Sequence, residues 1–432
     1  MTEDIKTLKI LIPIHLLPND TSFHTLYFES LFDALRKKTS LEVVWLVYMD
    51  KKQKKIKNEF FETIDIHDFD NAVEVIKTVN PDVVFAYAGG PQGQIHHALS
   101  LAAKAFNIPV VSLIIIDETL GIRRSKYLKS NITRFFENSE HADSDEKVVM
   151  GKGKFFIYKT LFLIKTLGFL KISKKEITNT LIELLYSFRS NAKNDFNPQY
   201  ENDLHLLESK KLLEPILDAG FKKESLEVVG NPVYDKAFKR IQQFSHSAGH
   251  KTRILLMTSP VVEHGILPKN ERNKIVEEIV KKYLENSNEM ELIIKIHPYN
   301  ENLSEYQEIV RKLNADIEVK KDGDILDYLE KSDVVLTYTS QTTSALFALI
   351  AKKPIVICNF YKIHNDRFLD LGLAIECKEP ENIIPSVKNA FSNPLNNGKI
   401  DEYVRDALFK PDGDSGKRVA LSLLNFLQNR KL

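Results

Sequence analysis

Apolar runs of strand length alternate with segments of helical periodicity along most of the chain. In the first part of the sequence the predicted strands are Lys9–Ile14, Leu41–Tyr48, Asp82–Ala86 and Pro109–Ile116. Between them the spacing of apolar residues predicts helices over Thr25–Lys38, Phe69–Val79 and Ile95–Phe106. Repeated strand–helix units of this kind predict a doubly wound parallel sheet.

The same alternation returns in the second part of the chain, after residues 122–195 have interrupted it. Further strands are predicted at Leu204–Leu207, Leu226–Val229, Arg253–Met257, Glu291–Ile296, Ile317–Val319, Val334–Thr337 and Pro354–Cys358. The stretch 242–252 is polar and rich in turn residues, which is typical of an interdomain linker. We therefore expect two α/β domains, 1–240 and 241–410, and a terminal amphipathic helix within 411–432.

Composition and charge narrow the class of protein. The chain has 432 residues, 43% hydrophobic and 28% charged, which is ordinary for a globular protein. A formal net charge of +1 provides no field that would attract nucleic acid. The two cysteines, Cys358 and Cys377, make neither a disulfide framework nor a zinc site, and they fit a reducing cytoplasm. The N-terminal residues lack the cationic region and cleavage site of a signal peptide.

The interrupting segment contains one stretch that mixes apolar residues with regularly spaced lysines, Lys152–Ile172. It is too interrupted by charge to span a bilayer. It is either an amphipathic helix that lies at a membrane surface or a helix packed on the domain with its lysines in water. The first alternative predicts a peripheral membrane contact and is compatible with a lipid-linked substrate.

A hydroxyl-rich turn, residues 339–344, lies between the predicted strand Val334–Thr337 and an apolar helix. Five of its six residues carry hydroxyls: Thr339, Ser340, Thr342, Thr343 and Ser344. In a parallel sheet this turn sits at a helix N-terminus, where free N–H groups and the helix dipole favour an anion. The alternative is simple helix capping, but five hydroxyls exceed what capping needs. The pattern predicts a phosphate or diphosphate site.

A second chemistry-bearing turn follows the strand Glu291–Ile296. His297 and Pro298 come directly after that strand, at the edge where ligands of open α/β sheets bind. A histidine there can donate a hydrogen bond to a phosphate or protonate a leaving group. The alternative is a loop histidine bonded to the backbone. Thr258 and Ser259 follow the neighbouring strand and are expected to line the same cleft.

In the first domain a glycine-rich turn precedes the helix Ile95–Phe106. Gly89 and Gly90 allow close backbone approach to a ligand, and Gln92 belongs to the same turn. His96 starts the helix, where it either contacts an acceptor or packs on the helix face. These residues are candidate substrate contacts, although glycines also simply make turns.

Two adjacent acids end the strand Pro109–Ile116. Asp117 and Glu118 at this edge are candidates for a general base and a substrate contact, and the alternative for Asp117 is an N-cap of the next helix. Arg123 lies nearby, as a partner of an anionic substrate or as surface charge.

Taken together, three motifs in this order resemble the GT-B superfamily of nucleotide-sugar enzymes. They are GNPVYD at 230–235, KIHP at 295–298 and the segment 332–356. The resemblance is strongest to branches with an HP motif and a Ser/Thr motif: sialyltransferase-like enzymes, capsule polysaccharide transferases and CDP-glycerol glycerophosphotransferases. It implies two Rossmann-like domains facing across a cleft, no essential metal, and a terminal helix that packs back across the domains.

The resemblance also implies roles for particular residues. His297 would contact the nucleotide phosphate and assist its departure, and Asp117 would be the acceptor base. Gly230, Asn231, Thr258, Ser259, Pro298 and the hydroxyl-rich turn would bind the nucleotide. The acidic pair departs from the sialyltransferase-like pattern, since Thr119 follows it where those enzymes carry glycine.

The resemblance implies a metal-independent glycosyltransferase of polysaccharide biosynthesis, and we expect it to invert the configuration at the anomeric carbon. Its donor would be a CMP-, CDP- or UDP-linked sugar, and its acceptor a glycan or a lipid-linked molecule. One alternative is a non-hydrolysing UDP-N-acetylglucosamine 2-epimerase. That family has a His-Arg-Arg-Glu run where this chain has residues 258–263, TSPVVE. The other alternative is a non-catalytic GT-B-like binding protein.

Overall fold

We describe the fold from a computed structural model. The described residues are 7–14, 23–48, 57, 61–88, 93–114, 152–172, 178, 202–218, 220–244, 251–262, 266–298, 301–339, 342–361, 366–393 and 396–430.

The first sheet is parallel and has seven strands in the order β3-β2-β1-β4-β5-β6-β7. They are β1 (Leu8–Ile14), β2 (Leu41–Val47), β3 (Phe61–Asp65), β4 (Val83–Ala88), β5 (Val110–Ile114), β6 (Leu204–Leu207) and β7 (Leu226–Val228). The intervening helices are α1 (Phe23–Arg36), α2 (Ala72–Val79), α3 (Gly93–Ala105), α4 (Lys152–Phe169), α5 (Leu213–Asp218) and α6 (Asp235–Ile241). This is the doubly wound arrangement that the alternation predicts.

The second sheet is also parallel and has six strands in the order β10-β9-β8-β11-β12-β13. They are β8 (Thr252–Met257), β9 (Met290–Lys295), β10 (Glu318–Lys320), β11 (Val334–Thr337), β12 (Ile355–Cys358) and β13 (Ile375–Cys377). The helices of this part are α7 (Lys269–Leu284), α8 (Leu303–Lys312), α9 (Ile325–Lys331), α10 (Thr343–Ile350), α11 (Arg367–Asp370), α12 (Ile383–Ser392), α13 (Asn397–Leu408) and α14 (Ser415–Asn429).

Burial on both faces explains why the central strands are nearly continuous apolar runs. One buried cluster includes Ile10 and Trp45 of the first sheet together with Leu255 and Val335 of the second, so the two parts share a hydrophobic core. Separate clusters cover the opposite face of each sheet. Burial of this much apolar surface is the main favourable contribution to folding.

The terminal helix α14 packs against α1 of the first part. Its N-terminus is held by the buried carboxylate of Asp235, which accepts from the N–H groups of Ser415 at 3.0 Å and Gly416 at 2.7 Å. A carboxylate at this end also interacts favourably with the helix dipole. The last residue of the GNPVYD motif therefore anchors α14 to the chain that precedes the second sheet.

Helix α4 belongs to the segment for which two alternatives were open. It packs against α2 and α3, burying Phe162 and Leu163, and Thr166 Oγ1 accepts from Ala72 N at 3.0 Å. Its outer face leaves Ile157 58% and Phe169 51% exposed. Within the described ranges, no helix combines the length and the apolar character needed to cross a membrane. The helix is packed on the domain, and contact with a membrane stays a prediction.

The sequence pattern located most strands to within one or two residues but did not predict β3 and β13. Strand β3 is an edge strand whose first two residues are half-buried, and β13 has three residues. Short edge strands carry few apolar positions, so periodicity does not reveal them.

Candidate functional site

The carboxyl ends of β9, β8 and β11, which are adjacent in the second sheet, bring together several predicted site residues. Thr258 and Ser259 follow β8, His297 follows β9, and Thr339 follows β11. A backbone hydrogen bond joins the loop after β8 to the end of β9, since Thr258 N donates to Lys295 O at 3.1 Å. The three loops therefore form one continuous edge, as expected for the ligand-binding side of an open α/β sheet.

Helix α10 begins at the same edge and has the features of an anion site. Thr342 is its N-cap, and the Thr342 hydroxyl oxygen accepts from Ala345 N at 3.1 Å. The N–H groups of Thr343 and Ser344 lie in the first turn, where helix geometry provides no intrahelical acceptor. The first turn carries no acidic side chain that would repel an anion. Thr342 thus serves as a cap, and the cap leaves two backbone donors for a ligand.

Thr339 and Ser340 form the first part of the hydroxyl-rich turn. Thr339 is buried, and its carbonyl oxygen accepts from Thr337 Oγ1 at 3.0 Å, so it stabilises the end of β11. Ser340 lies outside the described residues, and its predicted phosphate contact stays a prediction. Pro298, directly after His297, is exposed, and its predicted nucleotide contact stays a prediction.

Ser259 is the most informative hydroxyl at this edge. Its backbone N–H donates to the Tyr338 hydroxyl at 2.9 Å, and its carbonyl accepts from the same hydroxyl group at 2.9 Å. Its side-chain oxygen is buried and has no hydrogen-bond partner in the described part of the chain. An unpaired buried hydroxyl costs about 1–3 kcal/mol, which a ligand atom at this edge would offset.

Lys295, the last residue of β9, is buried beside the site. Its ammonium donates to Ile296 O at 3.1 Å and to Lys321 O at 2.7 Å. Burial lowers the pKa of Lys295 from 10.5 to about 8, while Asp322 and Glu301 act in the opposite direction. The Lys295 ammonium therefore fixes the segments around Ile296 and Lys321 by its hydrogen bonds.

This shift predicts a pH dependence of stability. Above about pH 8 the folded protein loses the Lys295 proton, whereas the unfolded chain keeps it until pH approaches 10.5. Because the unfolded state then binds more protons, Lys295 contributes more stability as pH rises through this window, by at most about 3 kcal/mol. Urea unfolding of the wild type and of Lys295→Met at several pH values measures the difference between them. A difference that stays constant from pH 8 to 10.5 would contradict the prediction.

The GNPVYD turn is occupied by contacts within the fold. Gly230 has a φ of +93°, and a Cβ there would lie 2.6 Å from Ser415 Oγ. Asn231 Nδ2 donates to Glu208 Oε2 at 2.9 Å, and its Oδ1 accepts from Val233 N at 3.1 Å. Through these contacts the GNPVYD motif connects the end of the first sheet to the start of α14. Nucleotide contacts by Gly230 and Asn231 stay predictions.

At the corresponding edge of the first sheet, the structure describes His96 but not its predicted companions. His96 Nε2 lies 3.3 Å from the hydroxyl of the buried Tyr48, which follows β2. The neighbouring His97 is buried, and burial together with Lys104 lowers its pKa to about 4, which keeps it neutral at pH 7. The predicted residues Gly89, Gly90, Gln92, Asp117, Glu118 and Arg123 lie outside the described residues. Their roles stay predictions.

Sequence reasoning missed the polar side chains beneath the second edge: Arg272, Glu301, Tyr306 and Tyr338. Glu301 is four residues after His297, and an acid so close to a candidate phosphate loop could have indicated a polar contact beneath that loop. Tyr338 lies within the motif segment but was hidden among hydroxyl residues. Arg272 and Tyr306 fall on helices α7 and α8, where the pattern predicts only ordinary amphipathic helices.

Two parallel-sheet domains of this topology, with a terminal helix that returns to the first domain, define a GT-B fold. The chain is similar in structure to S. aureus MnaA with UDP, at 14% identity and a TM-score of 0.52, over 98% of this chain and 97% of that one. It is likewise similar to UDP-GlcNAc 2-epimerase from Neisseria meningitidis bound to UDP-GlcNAc, at 13% identity and a TM-score of 0.51, over 97% of this chain and 100% of that one. It is also similar to the glycotransferase of kitacinnamycin, at 12% identity and a TM-score of 0.50, over 97% of this chain and 98% of that one.

At these identities the similarity shows the fold, and it confirms the predicted GT-B architecture. Residues 230–362 match the family model described as capsule polysaccharide biosynthesis protein. The matched segment contains β8, β9, β11 and α10, which carry the candidate site. No curated protein sequence matches the chain.

Proposed function

We propose that the protein is a glycosyltransferase of polysaccharide biosynthesis that uses a nucleotide-activated sugar. The observation that carries the proposal is the edge formed by Ser259, His297 and the first turn of α10. It lies within the segment that matches the capsule polysaccharide family. Hydroxyls, a histidine and free helix N–H groups are donors suited to a nucleotide phosphate.

In the proposed reaction a base of the N-terminal domain, Asp117, takes the proton of the acceptor hydroxyl. The acceptor oxygen attacks the anomeric carbon, and the bond from that carbon to the phosphate oxygen breaks with inversion. The bonding electrons remain on the departing phosphate. His297 and the N-terminus of α10 stabilise this charge by electrostatic interaction with the leaving group. Gly89, Gly90, Gln92, His96, Glu118 and Arg123 would face the acceptor, a glycan or a lipid-linked molecule near the membrane.

A panel of CMP, CDP, UDP and GDP with their sugars tests the donor site by thermal shift. A ligand that binds only the folded state raises the melting temperature. We expect one nucleotide of the panel to raise it clearly, and its identity names the donor class. No shift with any member of the panel would contradict the proposal.

The substitution Ser259→Ala sharpens this test. Because its hydroxyl has no partner in the described structure, we expect the free variant to be as stable as the wild type or slightly more stable. Loss of a hydrogen bond to a charged phosphate should weaken nucleotide binding about tenfold or more. Kd is measured by calorimetry with the nucleotide that gives the largest thermal shift.

Ser422→Ala is the matched control. Ser422 on α14 donates to Glu227 Oε1 at 2.6 Å, away from the site, so its loss should lower the melting temperature and leave Kd unchanged. We thus expect Ser259→Ala to weaken nucleotide binding without loss of stability, and Ser422→Ala to lose stability without weaker binding. An unchanged Kd in Ser259→Ala would remove that residue from the proposed site.

A nucleotide-sugar 2-epimerase is the second candidate, because structures described as UDP-GlcNAc 2-epimerases share the fold over nearly the whole chain. It predicts conversion of the nucleotide sugar with no acceptor present, whereas the transferase requires an acceptor. Incubation of UDP-GlcNAc with the protein alone, followed by NMR of the sugar, distinguishes the two.

A further inference from the structure

A buried carboxylate lies beneath the candidate phosphate edge. Glu301 follows β9 and its side chain is 0% exposed. Its Oε2 accepts from the Thr258 hydroxyl and, at 2.8 Å, from the backbone N–H of His297. One oxygen of this carboxylate therefore holds the loops that follow two adjacent strands, β8 and β9.

The other oxygen extends the contact to a third strand. The Tyr306 hydroxyl donates to Glu301 Oε1, and the Tyr338 hydroxyl lies 3.3 Å from the same oxygen. Tyr338 follows β11 and contacts the backbone of Ser259. The segments after β9, β8 and β11 thus converge on Glu301, and these segments carry the candidate donors to a phosphate.

Arg272 balances the charge of this network. Its guanidinium is 1% exposed and lies 3.7 Å from Glu301 Oε1. Arg272 also donates to the Tyr306 hydroxyl at 2.6 Å and to Glu305 Oε2 at 2.5 Å. Burial raises the pKa of Tyr306 well above its usual value, so its hydroxyl stays a donor. With an arginine behind it, Glu301 can hold the edge without presenting an unpaired negative charge to an anion.

We propose that Glu301 is a positioning residue that fixes the backbone of His297 relative to Ser259 and the start of α10. Its role in turnover rests on the proposed function, whereas its hold on the His297 backbone does not. Small displacements of groups that act on a leaving phosphate reduce rates strongly, because catalysis depends on their orientation. A carboxylate suits this position because it accepts hydrogen bonds at both oxygens, whereas an amide accepts at only one.

Glu301→Gln tests the proposal while keeping the shape of the side chain. An amide NH2 group turned toward the His297 N–H cannot accept from it, and turned toward Tyr306 it cannot accept from that hydroxyl. We expect kcat with the nucleotide sugar identified by the thermal-shift panel to fall about 10- to 100-fold, with KM changed less than about threefold. Hydrogen exchange at the His297 amide, followed by mass spectrometry, should become faster by a similar factor.

Glu305→Gln is the control. It removes the other carboxylate partner of Arg272 but leaves every contact of Glu301 in place. This variant should lose stability without a change in kcat or in exchange at His297. If Glu301→Gln behaves as Glu305→Gln does in both measurements, the positioning role is wrong.

Tyr306→Phe provides a second test should Glu301→Gln fail to fold. It removes one donor to Glu301 and keeps the carboxylate. We therefore expect a smaller loss of kcat and a smaller rise in exchange at the His297 amide than in Glu301→Gln. Wild-type values for both would overturn the proposal. If no nucleotide or nucleotide sugar of the panel raises the melting temperature of the wild type, the proposed function fails. The exchange measurement still decides whether Glu301 holds His297.

Discussion

His297→Ala is expected to lose most of the turnover, roughly 100- to 1,000-fold in kcat, while the protein remains folded. The side chain of His297 lies at the edge of the sheet and is only partly buried, so its removal leaves no large cavity. Its backbone N–H remains bonded to Glu301 in the variant, because that contact does not involve the imidazole. The rate should therefore fall far more than the stability.

The measurement is kcat at saturating donor, together with the melting temperature. His297→Gln keeps a hydrogen-bond donor but cannot transfer a proton at neutral pH, so it separates two roles. Substantial recovery of rate in His297→Gln indicates stabilisation of the phosphate by hydrogen bonding. A rate as low as that of alanine indicates proton transfer. Turnover at the wild-type level in His297→Ala would contradict a role of His297 in the reaction.

Gly416→Ala is expected to cause the largest loss of stability, about 3 kcal/mol or more, or to prevent folding. A Cβ at this position would overlap Ser30 Oγ and lie 2.6 Å from Leu31 N, and the second contact is with backbone. Helix α14 cannot move away freely, because Gly416 N donates to Asp235 at 2.7 Å. The added methyl group must therefore separate α14 from α1 or distort the backbone of α1.

Gly168→Ala is the matched control for this change. Gly168 is also a helical glycine, in α4, but a Cβ there would meet no atom of the described residues within 4 Å apart from its own helix backbone. Alanine should then stabilise the protein slightly, by up to about 1 kcal/mol, because it favours helix over glycine. Urea unfolding of both variants measures the two effects. Equal stability of Gly416→Ala and the wild type would contradict the close packing of α14 against α1.

Much of the fold followed from local pattern. Apolar runs identified the central strands, since these are buried on both faces, and parallel order followed from the helices between them. The candidate phosphate edge was predicted for the same reason: the carboxyl ends of parallel strands meet, so Ser259, His297 and the turn before α10 had to be close.

Contacts between residues distant in the chain could not be predicted from the sequence pattern. Gly416 meets Ser30, and Tyr338 meets Ser259, because of strand order and helix packing that no local period encodes. The buried network had no signal in hydrophobic pattern, since Arg272 and Tyr306 sit at positions compatible with ordinary amphipathic helices.

The sequence by itself therefore determined the α/β class, the positions of most strands and the residue types at the candidate phosphate edge. These depend on burial periodicity and on residues that are neighbours in the chain. Only the tertiary structure decided that Asp235 anchors α14, that α4 packs on the first domain, and that Glu301 joins the loops after three strands. Those contacts depend on which strands and helices become neighbours, and the free energy of packing the whole chain sets that arrangement.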